Sequence, residues 1–254
     1  MRKYSDSTDA YTDPQTGVLK NKLGLATEKD LERAETAASA LRSHELARNP
    51  IARNFDLPHL KAIHEKLFSD IYAWAGQLRT VDISKGDTRF AHYGFIEKEA
   101  QKLIGQLNQE QNLRGLSADK FSQRVGHYMG ELNVIHPFRE GNGRSLREYM
   151  GQLANEAGYE IKWEGISRED MTQASIEAYQ ESSDRLAQLI RDNLVDLDRY
   201  HALQLVTEML GKPDTDIIEA QQGEKYTGKI LAVTDRYVVQ AHDKTPQVVL
   251  HERQ

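Results

Sequence analysis

A twelve-residue segment from His136 to Arg147, HPFREGNGRSLR, concentrates side chains that are suited to acid–base chemistry and to anion binding. His136 can accept a proton near neutral pH, and Glu140 offers the hard oxygen ligands that Mg2+ prefers. Arg144 and Arg147 are three residues apart, so in a helix both guanidinium groups lie on one face. Two permanently charged, planar forks on one face suit a polyphosphate. The segment therefore predicts a phosphate site with a general base beside it.

A short glycine-rich stretch, Gly141-Asn142-Gly143, lies between the carboxylate and the first arginine. Glycine permits positive φ and close approach to a ligand, so successive N–H groups of this stretch can form an anion-binding nest. Amphipathic helical patterns flank the segment, from Phe121 to Ile135 before it and up to Gly158 after it. The positive end of the second helix dipole therefore points at the nest. Phe138, the one large apolar residue of the loop, is predicted to anchor it in the core.

Each of these features has an ordinary structural explanation when it is taken alone. Asn-Gly is a common turn, a lone G-x-G is a weak signal, and a single arginine or histidine beside a turn is usually surface decoration. A base, a carboxylate, a nest and an arginine pair in one loop between two helices are much harder to explain as structure only. The combination favours a catalytic loop.

The segment resembles the complete signature of Fic-domain enzymes, HxFx(D/E)GNGRxxR, with no departure at any signature position. Members of that family have a helical fold, and their usual reaction transfers AMP from ATP to a hydroxyl side chain of another protein. The similarity extends over about residues 1 to 195 to toxin members that are tied to conjugation-like secretion systems. ATP and Mg2+ are therefore the expected cofactors, and the expected activity is that of a nucleotidyltransferase.

The resemblance also implies a role for each residue of the loop. His136 takes the proton from the target hydroxyl, and Glu140 holds Mg2+ against the phosphates. The nest binds the α and β phosphates, while two arginines hold the β and γ phosphates and stabilise the departing pyrophosphate. The residues implied in ATP binding are Gly141, Asn142, Gly143, Arg144 and Arg147, and those implied in catalysis are His136, Arg144 and Arg147.

A β-hairpin is predicted upstream of the loop, with alternating strands over residues 80–84 and 88–93 and a turn at Lys85-Gly86-Asp87. The pattern itself leaves two interpretations open, a plain surface hairpin with Phe90 in the core or a docking edge for an extended segment of a target. In Fic enzymes the matching hairpin is the flap that docks the target. The resemblance therefore assigns docking to Ile83, Ser84, Lys85, Gly86, Asp87, Thr88, Arg89, Phe90, Ala91, His92 and Tyr93.

The predicted fold class is mainly α: a Fic-type helical bundle with a β-hairpin flap and a small C-terminal β appendage. Helix starts are predicted at Thr27, Ser117 and Ser167, where a capping residue precedes a helical pattern. Composition changes near Leu197, so we predict a Fic domain over residues 1–198. Residues 199–254 are predicted to form a connecting helix and a β module of three strands, which is either truncated or a small barrel completed by packing on the helices. The opening of this module resembles an OB-like piece of translocated relatives.

Composition sets limits on the class of protein. The 254 residues carry a net charge of −6, which argues against direct binding of nucleic acid because such domains are usually basic. Cysteine is absent, so disulfides and thiolate metal sites are excluded and the sequence fits a reducing cytoplasm. No apolar run approaches the length of a membrane span. We therefore expect a cytoplasmic protein, with translocation into a recipient cell left open.

The resemblance also bears on control and on targets. Many Fic proteins are inhibited by a helix of the pattern (S/T)xxxE(G/N), and the glutamates followed by Gly or Asn here, Glu140 and Glu164, are preceded at the first position by His136 and Glu160. We therefore expect a separate small antitoxin that carries this helix and docks near the N-terminal helices. The implied targets are type II topoisomerase subunits. Alternatives are a type IV secretion effector that modifies a host-cell protein, a phosphoryl-transferring relative, and a non-catalytic binding module.

Overall fold

The protein is described by a computed structural model, which covers residues 10–211 and 216–253. Most of the described chain is helical, and helices alternate with short strands in the second half. The helices are α1 (Glu28–Arg48), α2 (Leu57–Phe68), α3 (Ile96–Gln109), α4 (Ala118–Ile135), α5 (Asn142–Glu156), α6 (Arg168–Gln180), α7 (Asp184–Asp192) and α8 (Leu197–Leu210). The strands are β1 (Ser84–Lys85), β2 (Thr88–Arg89), β3 (Tyr159–Ile161), β4 (Leu194–Asp196), β5 (Ile217–Glu219), β6 (Ile230–Val233), β7 (Tyr237–Ala241) and β8 (Val248–Glu252).

One hydrophobic core joins the helices that flank the HPFREGNGRSLR loop. Phe121, Val125 and Leu132 of α4 meet Leu146 and Leu153 of α5 there, and all five are buried. Helix α2 and helices α3 and α7 complete the same cluster around them. The loop therefore joins two helices that are fixed by burial of their apolar faces, which gives it a rigid support.

The predicted helix starts and the mainly α fold class are confirmed. Thr27 and Ser167 cap α1 and α6 by accepting hydrogen bonds from the backbone N–H groups of Asp30 and Asp170. Ser117 precedes α4, but its side chain makes no capping hydrogen bond. Residues 1–9 of the predicted Fic domain lie outside the described residues.

The predicted hairpin is present but much shorter than expected. Its two strands are two residues each, paired antiparallel as Ser84 with Arg89 and Lys85 with Thr88. The strand lengths predicted from the alternation over residues 80–84 and 88–93 were wrong. Strand pairing ends after two residues on each side of the turn, where the neighbouring residues pack against the rest of the protein instead. Ile83 and Phe90 are buried in a small cluster with Val81.

Two further strand pairs correct the predicted architecture. The segment after Gly158 contains β3, a strand that was not predicted from the sequence, and β3 pairs antiparallel with β4, more than thirty residues later in the chain. The C-terminal sheet has the order β5-β8-β7-β6, so it contains four strands rather than three. Its additional strand, β5, pairs parallel with β8. Helix α8 covers one face of this sheet through Ala202 and Val206.

A buried polar cluster joins the C-terminal sheet to the helical part of the chain. Arg236 donates a hydrogen bond to Asp196 (2.5 Å) and another to the carbonyl of Gly158 (3.1 Å). Its guanidinium carbon lies 3.9 Å from the centre of the Tyr159 ring. Tyr237 donates to the same Asp196 carboxylate. Within the described residues, no helix is long and apolar enough to cross a membrane.

Candidate active site

The HPFREGNGRSLR loop makes two left-handed turns between α4 and α5. His136 ends α4 with φ of 50°, and Gly141 precedes α5 with φ of 82°. A Cβ atom at Gly141 would lie 2.4 Å from the ring of Phe68, so both the conformation and the close approach require glycine. Helix α5 begins at Asn142, so its N-terminal backbone N–H groups lie beside the loop, as the sequence predicted.

The imidazole of His136 is buried and held on two sides. Its Nδ1 lies 3.0 Å from the carbonyl oxygen of Asn133, and the ring of Phe90 stacks on it at 3.7 Å between centroids. A carbonyl only accepts hydrogen bonds, so Nδ1 carries the proton and donates it, which leaves the lone pair on Nε2. Burial lowers the pKa of His136 to about 3. The ring is therefore a neutral base of defined tautomer.

Side chains of the loop itself and of α2 lock the loop backbone. Asn142 bonds Phe138 twice, accepting from its N–H at 2.8 Å and donating to its carbonyl at 2.7 Å. The Phe138 ring is fully buried and stacks on His64 at 3.9 Å between centroids. His64 accepts a hydrogen bond from the N–H of Gly76, so its Nε2 donates to the carbonyl of Glu140. His64 is thus a hydrogen-bonded core histidine.

The two motif arginines have different surroundings. Arg144 forms an ion pair with the buried carboxylate of Glu35 in α1 and lies over the ring of Phe68. Tyr72 donates to the same Glu35 carboxylate. Arg147 makes no hydrogen bond or ion pair with any residue of the described ranges, and burial together with the charge of Arg144 lowers its pKa. The structure therefore presents one arginine that is already paired and one whose charge is uncompensated.

The carboxylate of Glu140 is suited to hold a cation only together with other ligands. Its Oε1 accepts a hydrogen bond from the N–H of Gly141 at 2.9 Å and lies 3.7 Å from Nη2 of Arg144. Among the described residues, no group of three His, Asp or Glu side chains is arranged to hold a metal. Mg2+ is commonly held by one or two carboxylates together with substrate phosphates and water. One carboxylate facing a cavity with room for a nucleotide fits that pattern.

A cavity of about 440 Å3 brings most of the predicted site residues together. His136, Glu140, the glycine-rich stretch and both arginines line one side of it, and Lys85 and Thr88 of the hairpin line another. Apolar and polar side chains of α6 complete the wall, including Met171, Ile176 and Tyr179. Phe138 lies behind the cavity in the core. Volume and lining match a site for a nucleotide-sized ligand.

The hairpin residues predicted to dock a target fall into three groups. Lys85, Gly86, Asp87 and Arg89 are exposed around the turn, together with His92 and Tyr93 at its far end. Ser84, Thr88 and Ala91 are half-buried. Ile83 and Phe90 are buried, so their side chains support the hairpin and the His136 ring rather than facing a partner.

Sequence reasoning missed two buried charged residues that support the site, Arg79 and Glu35. Arg79 donates hydrogen bonds to the carbonyls of His136 (2.8 Å), Val81 (2.6 Å) and Ala91 (2.5 Å). It also donates to the carbonyl of Ile135 at 3.2 Å. Neither residue belongs to a recognisable motif, and both act across long stretches of chain. Glu35 lies four residues after the buried Leu31, so helical spacing was the available signal for it, whereas no local pattern marks Arg79.

Comparisons with known proteins agree with this geometry. The model of the Fic/DOC family matches residues 54–154. The chain is 56% identical over 196 residues to the protein adenylyltransferase VbhT of Bartonella schoenbuchensis, an alignment that covers 77% of this chain and 41% of VbhT. It is 43% identical over 173 residues to the probable protein adenylyltransferase Fic of Escherichia coli, covering 68% of this chain and 86% of that protein. The chain thus spans less than half of VbhT.

Solved structures show the same fold. The BepC effector of Bartonella tribocorum with bound AMPPNP superposes with a TM-score of 0.68 at 31% identity, covering 73% of this chain and 96% of that chain. The type IV secretion system effector BepA superposes with a TM-score of 0.66 at 25% identity, covering 95% of this chain and 88% of that chain. A second family model, the KfrB domain, matches residues 225–254, within the C-terminal sheet.

Proposed function

Because the chain belongs to the Fic/DOC family, we propose that it is a protein adenylyltransferase, which transfers AMP from ATP to a hydroxyl side chain of a target protein. The arrangement that carries this proposal is the neutral, fixed-tautomer His136 on the same cavity as an N-terminal helix nest and the uncompensated charge of Arg147. A base and an anion site on one cavity are what nucleotidyl transfer to a hydroxyl requires. The names of the relatives support the same activity.

The proposed orientation of ATP follows from the lining of the cavity. The α and β phosphates lie at Gly141-Asn142-Gly143, where the N-terminus of α5 favours anions. Arg147 and Arg144 hold the β and γ phosphates, and the ion pair with Glu35 orients Arg144 for this contact. The base and sugar lie along Met171, Ile176 and Tyr179 of α6, the less polar part of the wall. The bound nucleotide analogue of the BepC structure supports a nucleotide at this kind of site.

The proposed chemical step is an in-line displacement at the α phosphorus. The hydroxyl oxygen of a target Tyr, Ser or Thr forms the new P–O bond, and the bond from the α phosphorus to the bridging oxygen of pyrophosphate breaks. Nε2 of His136 receives the hydroxyl proton, while the arginines stabilise the charge that develops on the departing pyrophosphate. Glu140 is the residue that would hold Mg2+, which when bound neutralises phosphate charge.

The hairpin is proposed to dock the target as the flap of this enzyme. Its exposed turn lies next to the cavity, and Lys85 and Thr88 contribute to the cavity wall. An extended target segment that pairs with the hairpin would lie across the cavity opening, with its hydroxyl toward His136. Adding a strand to a short exposed edge is a common mode of peptide recognition.

We propose that a separate antitoxin controls the enzyme by binding at a second cavity, of about 520 Å3, which is lined by residues of α1 and α5. The cavity is lined by small side chains of α1, Ser39, Ala40 and Ser43, and by Arg147 of α5. Small residues permit the close approach of a helix. A helix of the pattern (S/T)xxxE(G/N) placed there would bring its glutamate to the uncompensated charge of Arg147 and block the γ-phosphate position.

The proposed targets are the ATPase subunits of bacterial type II topoisomerases, which follow from the resemblance to toxin members of the family. A second candidate is a type IV secretion effector that modifies a host-cell protein, and it is favoured by the similarity to the translocated effectors BepC and BepA. A third is a phosphoryl-transferring relative. Such relatives usually alter the nest or the carboxylate, and both are intact here.

The decisive experiment incubates the purified chain with Mg2+, α-labelled ATP and a bacterial lysate, beside a His136→Ala control. We expect label on one or a few proteins, and none with the control, which should still bind ATP. Identification of the labelled band tests the topoisomerase proposal separately. Label that enters only from γ-labelled ATP would instead indicate phosphoryl transfer, and equal labelling by the His136→Ala protein would refute the proposed base.

A further inference from the structure

Arg79 is a buried arginine whose side chain donates hydrogen bonds to four backbone carbonyls. It is 2% exposed and lies between α2 and the hairpin, 57 positions before His136. Its Nε donates to the carbonyl of His136 and one Nη to the carbonyl of Ile135, at the C-terminal end of α4. A guanidinium at this end of a helix satisfies carbonyls that have no partner within the helix and complements the helix dipole.

The same guanidinium also holds both ends of the hairpin. Nη1 donates to the carbonyl of Val81, before β1, and Nη2 donates to that of Ala91, after β2. The carboxylate of Asp82, 3.9 Å from Nη1, accepts a hydrogen bond from the N–H of Tyr93, which closes the base of the hairpin a second time. One side chain thus connects the start of the hairpin, its end and the backbone of the catalytic loop.

Three further contacts show that hairpin and loop form one unit around Arg79. The N–H of Ala91 donates to the carbonyl of Val134 in α4 at 3.1 Å. The Phe90 ring, which follows β2, stacks on the imidazole of His136. The N–H of Arg79 itself donates to the carbonyl of Pro137 at 2.9 Å, so its backbone is tied to the loop as well.

We propose that Arg79 is a positioning residue that fixes the hairpin relative to His136, so that a docked target hydroxyl and the base keep a constant separation. This inference rests on the proposed function, because it assigns the hairpin to target docking. Arg79 does not line the cavity. It therefore acts on transfer to protein rather than on nucleotide binding, and small errors of position are costly in such a step.

The test compares Arg79→Met and Arg79→Lys with a matched control, Arg236→Met. Arg236 is also a buried arginine that donates to a backbone carbonyl, but it lies between β3 and the C-terminal sheet, away from the cavity. For each protein, the measurements are thermal stability, affinity for AMPPNP with Mg2+, and initial rate of label transfer from saturating α-labelled ATP into lysate proteins. A fourth measurement is hydrogen exchange at the amides of Phe90 and Ala91.

Arg79→Met is expected to slow label transfer about 100-fold, with AMPPNP affinity within about twofold of the parent. Arg79→Lys keeps the charge but has fewer hydrogen-bond donors than arginine, so its transfer rate should lie between those of Arg79→Met and the parent. Arg236→Met should lose stability yet keep the rate per folded molecule. The inference is overturned if Arg79→Met transfers label as fast as Arg236→Met, or if its loss of rate is matched by a loss of AMPPNP affinity.

Hydrogen exchange separates failure of this inference from failure of the proposed function. Exchange at Phe90 and Ala91 should increase in Arg79→Met and stay unchanged in Arg236→Met, whether or not the parent protein transfers label. If the parent protein labels no target, only the proposed function is contradicted. The hydrogen exchange result then still tests whether Arg79 connects the hairpin to the catalytic loop. Unchanged exchange in Arg79→Met would refute that connection.

Discussion

At the scale of single residues, the site depends on a histidine that stays neutral because it is buried. Desolvation lowers the pKa of His136 to about 3, and the nearby charges of Arg79 and Lys85 act in the same direction, while Glu140 opposes them. The hydrogen bond to the Asn133 carbonyl fixes the proton on Nδ1. A base that never has to lose a proton before it acts is available at every physiological pH.

The first prediction concerns the protonation of this residue. In the ligand-free protein, the His136 ring should remain in its Nδ1–H neutral form from pH 8 down to about pH 5, because its pKa lies below that range. Nitrogen-15 NMR of the histidine rings measures this directly, and the His136→Ala protein assigns the signal. A ring that titrates with a midpoint near 6.5 would contradict the burial argument.

The second prediction separates the two motif arginines by their effect on the ligand-free protein. Arg144→Ala leaves Glu35 buried without its cation, so the free energy of unfolding should fall by about 3 kcal/mol. Arg147→Ala removes a charge that has no partner among the described residues, so stability should stay the same or rise. Both substitutions should weaken ATP binding. Urea unfolding and calorimetric titration check the two effects, and a large loss of stability in Arg147→Ala would contradict the assignment.

At the scale of elements, the N-terminus of α5 has two glycines with different requirements. Gly141 has positive φ and no room for a Cβ next to the Phe68 ring, whereas a Cβ at Gly143 would meet only Nη1 of Arg147, at 3.7 Å. The third prediction is that Gly141→Ala destabilises the protein and abolishes ATP binding. Gly143→Ala should keep or slightly raise stability, since alanine favours helix, but weaken ATP binding. Equal stability of the two variants would argue against the close contact at Gly141.

The fourth prediction concerns the hairpin as a docking element. Thr88 pairs with Lys85 beside the turn, and proline at this position removes the N–H of the ladder. Thr88→Pro should therefore reduce label transfer to protein at least tenfold while affinity for ATP is kept, as expected when only docking is lost. Thr88→Ala, which retains the N–H, is the matched control. If both variants transfer label equally well, docking does not depend on the internal ladder of the hairpin.

The elements that sequence reasoning predicted well are those whose signals are local. The caps at Thr27 and Ser167 and the amphipathic patterns around the loop depend on neighbours within four residues, and the structure confirms these helices. Strand β3 was missed because its partner is more than thirty residues away, and β5 because three residues give too short a pattern. The hairpin was predicted too long because Phe90 fits the alternating pattern of a strand, whereas in the structure it follows β2 and its ring stacks on that of His136.

The candidate site shows the same division. The motif itself predicted which residues line the cavity, since a short loop brings its own members together. The supporting roles of Arg79 and Glu35 could not be predicted. Arg79 acts through backbone carbonyls and Glu35 through Arg144, and these partners come within reach only in the folded chain. Buried charges are stabilising only when fully paired, so their role is visible only with their partners.

At the scale of the whole molecule, the final prediction concerns stability in mild acid. His64 and His136 are buried and neutral, and desolvation lowers their pKa values to about 4 and about 3. In the unfolded chain each imidazole titrates near pH 6.5. Between pH 6.5 and pH 4 the unfolded chain therefore binds protons that the folded protein does not, so the free energy of unfolding falls as the pH falls.

Each of these two histidines should lower the free energy of unfolding by at most about 1.4 kcal/mol for every pH unit below 6.5. His136→Asn removes one titrating group, and the new amide can still donate to the Asn133 carbonyl. The free energy of unfolding of this variant should therefore depend less steeply on pH than that of the parent, because unfolding of the variant takes up about one proton fewer. Urea unfolding at pH 7, 6 and 5 measures the two slopes, and this range stays above the titration of most carboxylates. Parallel slopes would mean that His136 gains a proton in the folded state, and the protein would then lack a neutral base in acid.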